Sequence, residues 1–138
     1  MGRTRSRLSA GTLVLDCEGL VKWCGADQRV TALVREAQDN DFRVVISALT
    51  PIEVQDVRTK SERLRWYLSR LRIEPVTEEI SLAAVDLLRA HRLPGHKYAI
   101  DAVVASTALR APKPVVLLTS DEDDMTTLCG KAIKVVAV

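Results

Sequence analysis

Short runs of aliphatic residues, separated by segments with helical spacing, constrain this chain more than any other feature. The runs span residues 12–16, 43–47, 115–119 and 133–138. None shows the strict polar–apolar alternation of a strand with one solvent-facing side, so each is predicted to be a strand buried on both faces. Such strands occur in parallel sheets covered by helices. The sequence therefore predicts an α/β fold with three α/β/α layers and a central, mainly parallel sheet.

Helix-end signals lie between these strands. Asp27 is a candidate N-cap for the first clear helix, and Thr77 for a later one. Thr50 is predicted to be the N-cap of another helix, with Pro51 at its first position and Glu53 completing a capping box. Further helices are predicted over residues 61–71, 98–109 and 121–128.

The length of 138 residues fits one domain, and 47% hydrophobic residues with only 4% aromatics predict an aliphatic core. We expect a single domain over residues 1–138, of which 1–10 form a flexible basic N-terminus. No apolar run is long enough for a signal peptide or a membrane helix, so we expect a cytoplasmic protein that does not contact membranes. The three cysteines form no Cys-x-x-Cys pair, which argues against a zinc site or a disulfide framework.

Acidic residues occur where the predicted strands end. Asp16 ends the first strand, Glu53 lies in the first turn after the second, and Asp121 follows the third. Asp101 is predicted to lie in the first turn of its helix. Because ligands of parallel sheets bind beyond the carboxyl ends of the strands, these four carboxylates are expected to converge. Converging carboxylates repel one another without a cation, and their hard oxygens suit Mg²⁺ or Mn²⁺. A cation held there can support hydrolysis of a phosphodiester.

Each acid also has a purely structural interpretation. Glu53 fits a capping box with Thr50, Asp101 fits a helix N-terminus, and Asp121 fits an N-cap. Asp16 has no such evident role, because a carboxylate that closes an apolar strand is costly to desolvate. The joint placement of all four at one sheet edge favours the functional interpretation.

The four segments around these acids resemble the PIN-domain ribonucleases, and among them the small VapC-like toxins of toxin–antitoxin pairs. The motifs that carry the resemblance are, in chain order, LVLDCEGL, LTPIEV, AIDAVVASTAL and LLTSDEDDM. Their order and spacing cover nearly the whole chain. The resemblance implies a PIN-like fold and a divalent-cation-dependent endoribonuclease that acts on RNA.

The resemblance also implies roles for particular residues. Asp16, Glu53, Asp101 and Asp121 would be catalytic and would hold the metals, and the supporting residues would be Thr119, Glu18 and Asp124. Asp123 and Asp124 are also candidates for the role of the fourth acid, although Asp121 fits the Thr-x-Asp pattern best. Glu18 stands where many relatives have Ser, Thr or Asn, so it either adds an acid to the site, changes the metal preference or points away. A cognate antitoxin protein and a homodimer are further implications.

A basic stretch follows the second acid. Its cations Arg58, Lys60, Arg63 and Arg65 are predicted to bind nucleic acid, since such a segment can track a phosphate backbone. Trp66 and Tyr67 lie among these cations and offer surfaces on which bases can stack. The equally weighted alternative is a solvated helix whose Trp66 packs into the core or a dimer interface.

Two other functions compete with the nuclease. A non-catalytic PIN-like module that binds RNA or protein would keep the fold without metal-dependent cleavage. A phosphotransfer receiver domain also gathers acids at strand ends, but it needs a phosphoacceptor Asp at the end of a central strand. The second predicted strand ends in Ser47 and Ala48, which disfavours the receiver.

Overall fold

In the computed structural model, which describes residues 9–56 and 60–138, short strands form a parallel sheet in the order β3-β2-β1-β4-β5. The strands are β1 (Gly11–Leu15), β2 (Phe42–Ser47), β3 (Arg72–Glu74), β4 (Val115–Thr119) and β5 (Lys134–Ala137). All four pairings between neighbours are parallel. The four predicted strands are β1, β2, β4 and β5, and the predicted fold class is confirmed.

Helices cover both faces of the sheet. They are α1 (Cys17–Cys24), α2 (Gln28–Asp39), α3 (Thr50–Glu53), α4 (Ser61–Leu68), α5 (Glu78–Ala90), α6 (Gly95–Leu109) and α7 (Glu122–Cys129). On one face, α1, α2 and α4 pack on Leu13 and Ile46 of the sheet. On the other face, α6 and α7 pack on Val14 and Leu117, and α5 packs on α6. The sheet is therefore the middle of three layers, as its aliphatic strands predict.

The order of the strands defines where a ligand can bind. The chain passes from β1 to β2 and β3 on one side, and then to β4 and β5 on the other. The direction of winding changes between β1 and β4, and crevices form at such switch points beyond the carboxyl ends of the strands. Asp16 directly follows β1, and Asp121 lies two residues beyond β4. Two of the predicted site residues thus flank the switch point.

Strand β3 was not predicted from the sequence. It has only three residues, Arg-Ile-Glu, and pairs with β2 alone at the edge of the sheet. Its Arg72 and Glu74 side chains are joined by a hydrogen-bonded ion pair. Charged side chains on an edge strand discourage pairing with another chain. This explains why β3 is polar, and a polar strand has no apolar pattern by which the sequence could predict it.

Helix ends agree with the sequence at some caps and differ at others. Asp27 and Thr77 cap α2 and α5 as predicted, by accepting the backbone N–H groups of Val30 and Ile80. The predicted capping box is wrong: the N-cap of α3 is Leu49, and no side chain caps this helix. Two boundaries also differ, since α4 ends at Leu68 and α6 begins at Gly95, ahead of the predicted 98.

Parts of two predictions lie outside the described residues. These are most of the expected flexible N-terminus, residues 1–8, and the nucleic-acid-binding candidate Arg58. Within the described residues, no helix has the length and apolar character required to span a membrane.

Candidate active site

Asp16 joins three elements at the switch point. Its side chain is 6% exposed; Oδ1 accepts the backbone N–H of Gly19 at 2.8 Å, and Oδ2 accepts that of Ser120 at 3.2 Å. The carboxylate therefore caps α1 and holds the turn that follows β4. The sequence prediction missed this structural role, although Asp before a helix is a common N-cap. Each oxygen keeps a lone pair for a further ligand.

Gly19 allows α1 to begin this close to the sheet. A Cβ at this position would lie 3.2 Å from the carbonyl oxygen of Leu118 and 3.6 Å from Asp16 Oδ1. A larger residue would push the helix away from β4. The small residue after the first acid is thus a packing requirement of the site.

Thr119 shapes the turn that presents Asp121. The Thr119 side chain is fully buried, and its Oγ1 accepts the backbone N–H of Asp121 at 2.9 Å. Asp121 occupies the N-cap position of α7, yet its side chain makes no capping hydrogen bond and is exposed. The Asp121 carboxylate therefore does not cap α7.

The structural interpretations of the other two acids also fail. Glu53 has no capping-box partner, because Thr50 is fully buried inside α3 and not its N-cap. Asp101 lies in the second turn of α6, because the helix begins at Gly95; its predicted place in the first turn is wrong. The favourable effect of a helix N-terminus on a carboxylate is confined to the first turn.

The four acids act on one another electrostatically. Burial, followed by the negative charges of Asp101, Asp16 and Asp121, raises the pKa of Glu53. Burial, followed by the charges of Asp121, Asp124 and Asp16, raises the pKa of Asp101 from 3.8 to about 6. Like charges raise carboxylate pKa values in this way only when they are close. We name Asp16, Glu53, Asp101 and Asp121 the acidic centre.

The supporting acids differ in where they lie. Asp124 is half-buried in α7, and its charge is the second largest carboxylate effect on the pKa of Asp101. Glu18 lies in the first turn of α1 and affects the pKa of Cys17 instead. Burial, then the charges of Glu53 and Asp16, raises the pKa of this thiol to about 11. Cys17 is therefore protonated at neutral pH and is a poor nucleophile.

The donor set of the acidic centre suits one class of ligand. Among the described residues, no three His, Cys, Asp or Glu side chains are grouped closely enough to enclose a metal ion. Mg²⁺ retains several waters and is commonly held by one or two carboxylates together with substrate phosphate. Hard carboxylate oxygens whose mutual repulsion a cation would relieve fit such a hydrated ion.

An open groove of about 480 Å³ lies beside the acidic centre, between α1, α3 and α4. Its lining includes Leu20 and Val21 of α1, and Glu53 at the end of α3. Lys60 and Arg63 line it from α4 and the residue before it. Among its described lining residues, Glu53 alone belongs to the acidic centre. The groove therefore connects the acids with two of the four predicted nucleic-acid-binding cations.

The family model of the PIN domain matches residues 13–129, which include all four acids. The chain belongs to the PIN-domain family. PIN domains are generally nucleases, and they generally use divalent metal ions. No curated protein matches the chain at a significant level.

Solved structures share the fold of this PIN domain at low sequence identity. A chain of the VapBC2 complex from Rickettsia felis, bound to promoter DNA, has a TM-score of 0.72 and 16% identity over 92% of this chain and 98% of its own. A chain of a toxin–antitoxin complex from Klebsiella pneumoniae has a TM-score of 0.65 and 19% identity over 88% and 95%. A chain of FitAB bound to a DNA fragment has a TM-score of 0.63 and 19% identity over 91% and 94%.

Proposed function

We propose that this PIN domain is a divalent-metal-dependent endoribonuclease and the toxin of a toxin–antitoxin pair. The observation that carries the proposal is the acidic centre: its carboxylates come from four separate elements around the switch point of the sheet, and their charges raise the pKa values of Glu53 and Asp101. Such repulsion is costly in a fold unless a cation relieves it. Membership of a family of nucleases supports the same chemistry.

The four acids would hold Mg²⁺ or Mn²⁺ beside the scissile phosphate. The bound cation would supply a water activated at neutral pH and would stabilise the leaving oxygen of the phosphodiester. Asp16 is the best-oriented of the four, since backbone N–H groups hold both of its oxygens. Thr119 orients the turn that carries Asp121, and Asp124 adds negative charge next to Asp101. Glu18 would act at most at the margin of this site.

The RNA would lie on the cations that follow α3. Lys60, Arg63 and Arg65 are exposed, and the first two line the groove that contains Glu53. Arg58 belongs to the same proposal on sequence grounds. Phosphate contacts by such side chains supply sequence-independent affinity.

We further propose that the chain binds a protein antitoxin and forms a homodimer. The fold is shared with chains of VapBC2 and FitAB and of another toxin–antitoxin complex. Light scattering of the purified chain at several concentrations measures the dimer directly.

Cleavage of a mixed RNA pool tests the nuclease. The wild type is compared with Asp101→Asn in Mn²⁺, in Mg²⁺ and in EDTA, and Asp86→Asn on the exposed face of α5 is the matched control. We expect cleavage that needs the metal, is lost in Asp101→Asn and is unchanged in Asp86→Asn. Equal cleavage by wild type and Asp101→Asn would show that the activity does not belong to this site.

A non-catalytic RNA- or protein-binding module is the second candidate. It is favoured by the absence, among the described residues, of three acids grouped tightly enough to enclose an ion. This candidate predicts RNA binding by the wild type that persists in Asp101→Asn, with no cleavage in either metal. Metal-dependent cleavage by the wild type eliminates it.

A further inference from the structure

Trp66 is an exposed aromatic side chain in the most basic part of the molecule. It is 53% exposed on α4, whereas the next residue, Tyr67, packs against the core. Burial of Trp66 in the core is thereby excluded as its role.

A series of ring contacts connects Trp66 to the core and holds its side chain in place. Its ring meets that of Tyr67 edge to face, with centroids 4.9 Å apart. Tyr67 in turn meets Trp23, which is only 7% exposed, at 4.8 Å. The Arg70 guanidinium lies 4.7 Å from the centroid of the Trp66 ring. A ring fixed by such contacts loses little conformational entropy when a ligand binds it.

Arginines outnumber acids around this tryptophan, since Arg63, Arg65 and Arg70 lie within about one helical turn of it, against Glu62. Among the residues that the structure describes, Arg63, Arg65 and Arg70 make no ion pair, although Arg72 and Arg110 do. Arg63 precedes Trp66 by three positions and therefore lies about one helical turn away on a neighbouring stripe of α4. Arg63 also lines the groove that contains Glu53, so this helix contributes both to that groove and to the surroundings of Trp66.

A second, smaller cavity lies beside Trp66. It has a volume of about 290 Å³, and its lining includes Arg35 and Gln38 of α2 together with Trp66 and Arg70. An amide and guanidinium groups beside an aromatic ring can hydrogen-bond the edge of a base that stacks on the ring. Protein interfaces are also enriched in Trp, Tyr and Arg, so these residue types alone do not distinguish the two partners. The charge does: the described lining of this cavity contains Arg35 and Arg70 and no carboxylate, which favours a polyanion.

We propose that Trp66 and Arg70 form a base-stacking subsite for an unpaired nucleobase of single-stranded RNA, with the adjoining phosphates on Arg63 and Arg65. The proposal rests on the proposed function for its substrate, and it adds that the substrate is unpaired where it crosses α4. A duplex cannot occupy the subsite, because its bases already stack on one another. The arrangement combines an aromatic platform with a cationic track, which is how proteins hold single strands.

Binding without cleavage tests this subsite. A short fluorescein-labelled oligouridylate is titrated in EDTA into Asp101→Asn protein carrying in addition Trp66→Ala, Trp66→Phe or Leu82→Ala. Leu82 is the matched control, because it is 57% exposed on α5, on the opposite face of the sheet. We expect Trp66→Ala to weaken binding about tenfold and Trp66→Phe two- to threefold or less, since stacking on one aromatic ring has this order of effect. Leu82→Ala should bind as the parent does.

An abasic sugar–phosphate oligomer of equal length separates stacking from charge. It should bind the parent and Trp66→Ala equally well, because it has no base to stack. Tryptophan fluorescence gives a second readout: the oligouridylate should quench the parent, whereas Trp66→Phe, which retains only the buried Trp23, should show almost no quenching.

Three outcomes would overturn the subsite. They are equal oligouridylate affinity in parent and Trp66→Ala, an equal loss for the abasic oligomer, and a change in self-association with RNA affinity unaltered. These experiments distinguish failure of the nuclease from failure of the subsite. If the wild type does not cleave RNA but its binding depends on Trp66, the subsite stands and the nuclease does not. If the wild type cleaves RNA but its binding does not depend on Trp66, only the nuclease stands.

Discussion

The acidic centre and the basic face, by which we mean Lys60, Arg63, Arg65 and Arg70, are built in opposite ways. Asp16 is buried and hydrogen-bonded on both oxygens, and Asp101 is half-buried in a helix packed on the sheet. The basic face is exposed, and α4 has no fully buried residue. Glu53 and Asp121 are exposed as well, so two of the four acids are fixed by packed elements, whereas none of the four cations is.

Accurate placement of side chains matters more for the acidic centre than for the basic face. Chemistry at a phosphodiester needs groups held within a fraction of an ångström, which only packed elements provide. Attraction of a polyanion acts over a Debye length of about 8–10 Å and tolerates mobile side chains. We therefore expect substitutions in the acidic centre to change the rate of cleavage, and those in the basic face to change affinity.

The largest effect is expected for Asp16→Asn. The asparagine oxygen can still accept one of the two backbone N–H groups that Asp16 accepts, but its NH2 group cannot accept the other, so the free energy of unfolding should fall by about 1 kcal/mol. The carboxylate charge is lost, and kcat/KM for Mn²⁺-dependent RNA cleavage should fall at least about 100-fold, since even the outer partners of metal ligands are worth 10–100-fold. Urea unfolding and cleavage rates, measured on the same preparation, separate the two effects.

Asp16→Ala is the companion variant. It loses the hydrogen bonds to Gly19 and Ser120 as well as the charge, so it should be less stable than Asp16→Asn by about 1–2 kcal/mol. A normal cleavage rate in Asp16→Asn would break the comparison, because the charge of the acidic centre would then be unnecessary.

A smaller effect is expected for Arg63→Glu in the basic face. Reversal of one charge beside the groove should weaken RNA binding about tenfold and lower the slope of log K against log salt by about 1–2. The rate at saturating RNA and the stability should change little, because Arg63 is exposed. Filter binding over a salt series measures the slope. The matched control is Arg89→Glu on α5, and an equal loss there would mean that the protein's overall charge, rather than this face, attracts RNA.

The pH dependence of stability probes the acidic centre without RNA. The pKa of Asp101 is about 6 in the folded protein against an ordinary 3.8. Between these values the folded state binds more protons than the unfolded state, so stability should fall as pH rises through this range, and the loss should be complete above about pH 7. After discounting for solvent screening, we expect a loss of about 1 kcal/mol.

Asp101→Asn removes this loss. In EDTA at neutral pH the variant should unfold about 3 °C above the wild type, and Mn²⁺ should stabilise only the wild type. Thermal melts at acidic and neutral pH measure both the difference in melting temperature and the stabilisation by Mn²⁺. A variant that melts below the wild type at neutral pH would contradict the repulsion inferred among the four acids.

The smallest effect is expected for Thr50→Val in α3, the helix that carries Glu53. The Thr50 side chain is fully buried, and its hydroxyl has no hydrogen-bond partner among the described residues. Removal of an unsatisfied buried hydroxyl should stabilise the fold by about 1 kcal/mol or less, with cleavage unchanged. Thr119→Val is the control, because its hydroxyl accepts the Asp121 N–H and its loss should destabilise. Stabilisation of both variants would show that the hydroxyl of Thr119 does not support its turn.

Most of the sheet could be predicted because its strands are aliphatic runs, which are typical of a parallel sheet covered by helices. The prediction that each strand is buried on both faces is wrong for β5, an edge strand with no fully buried residue. Strand β3 could not, since its Arg-Ile-Glu is polar and gains its hydrogen bonds from β2, far away in the sequence. The start of α6 was misplaced because Pro94 and Gly95 are typical of a helix end, whereas here Pro94 is an N-cap.

That Asp16 and Asp121 affect Glu53 could be expected from the positions of all three after parallel strands, and their charges do raise its pKa. Their individual geometry could not: the hydrogen bond from Ser120 to Asp16 depends on the pairing of β1 with β4. The proximity of Asp124 to Asp101 likewise depends on the packing of α7 against α6. The exposure of Trp66 and burial of Tyr67 were left open, because both are neighbours on a short helix and only the tertiary contact with Trp23 distinguishes them.

The hydrogen bond between Asp16 and Ser120 spans 104 positions of the chain, which gives the site an order of assembly. Ribosomes deliver residues from the N-terminus onward, and early elements can fold before later ones emerge. A nascent chain that carries β1, β2 and β3 already contains Asp16 and Glu53, but it has neither β4 nor Asp121. Such contacts between distant residues form late, because closing a long loop is entropically expensive. The acidic centre is therefore completed only after β4 and Asp121 have been synthesised, and a truncated polypeptide lacking β4 lacks the centre as well.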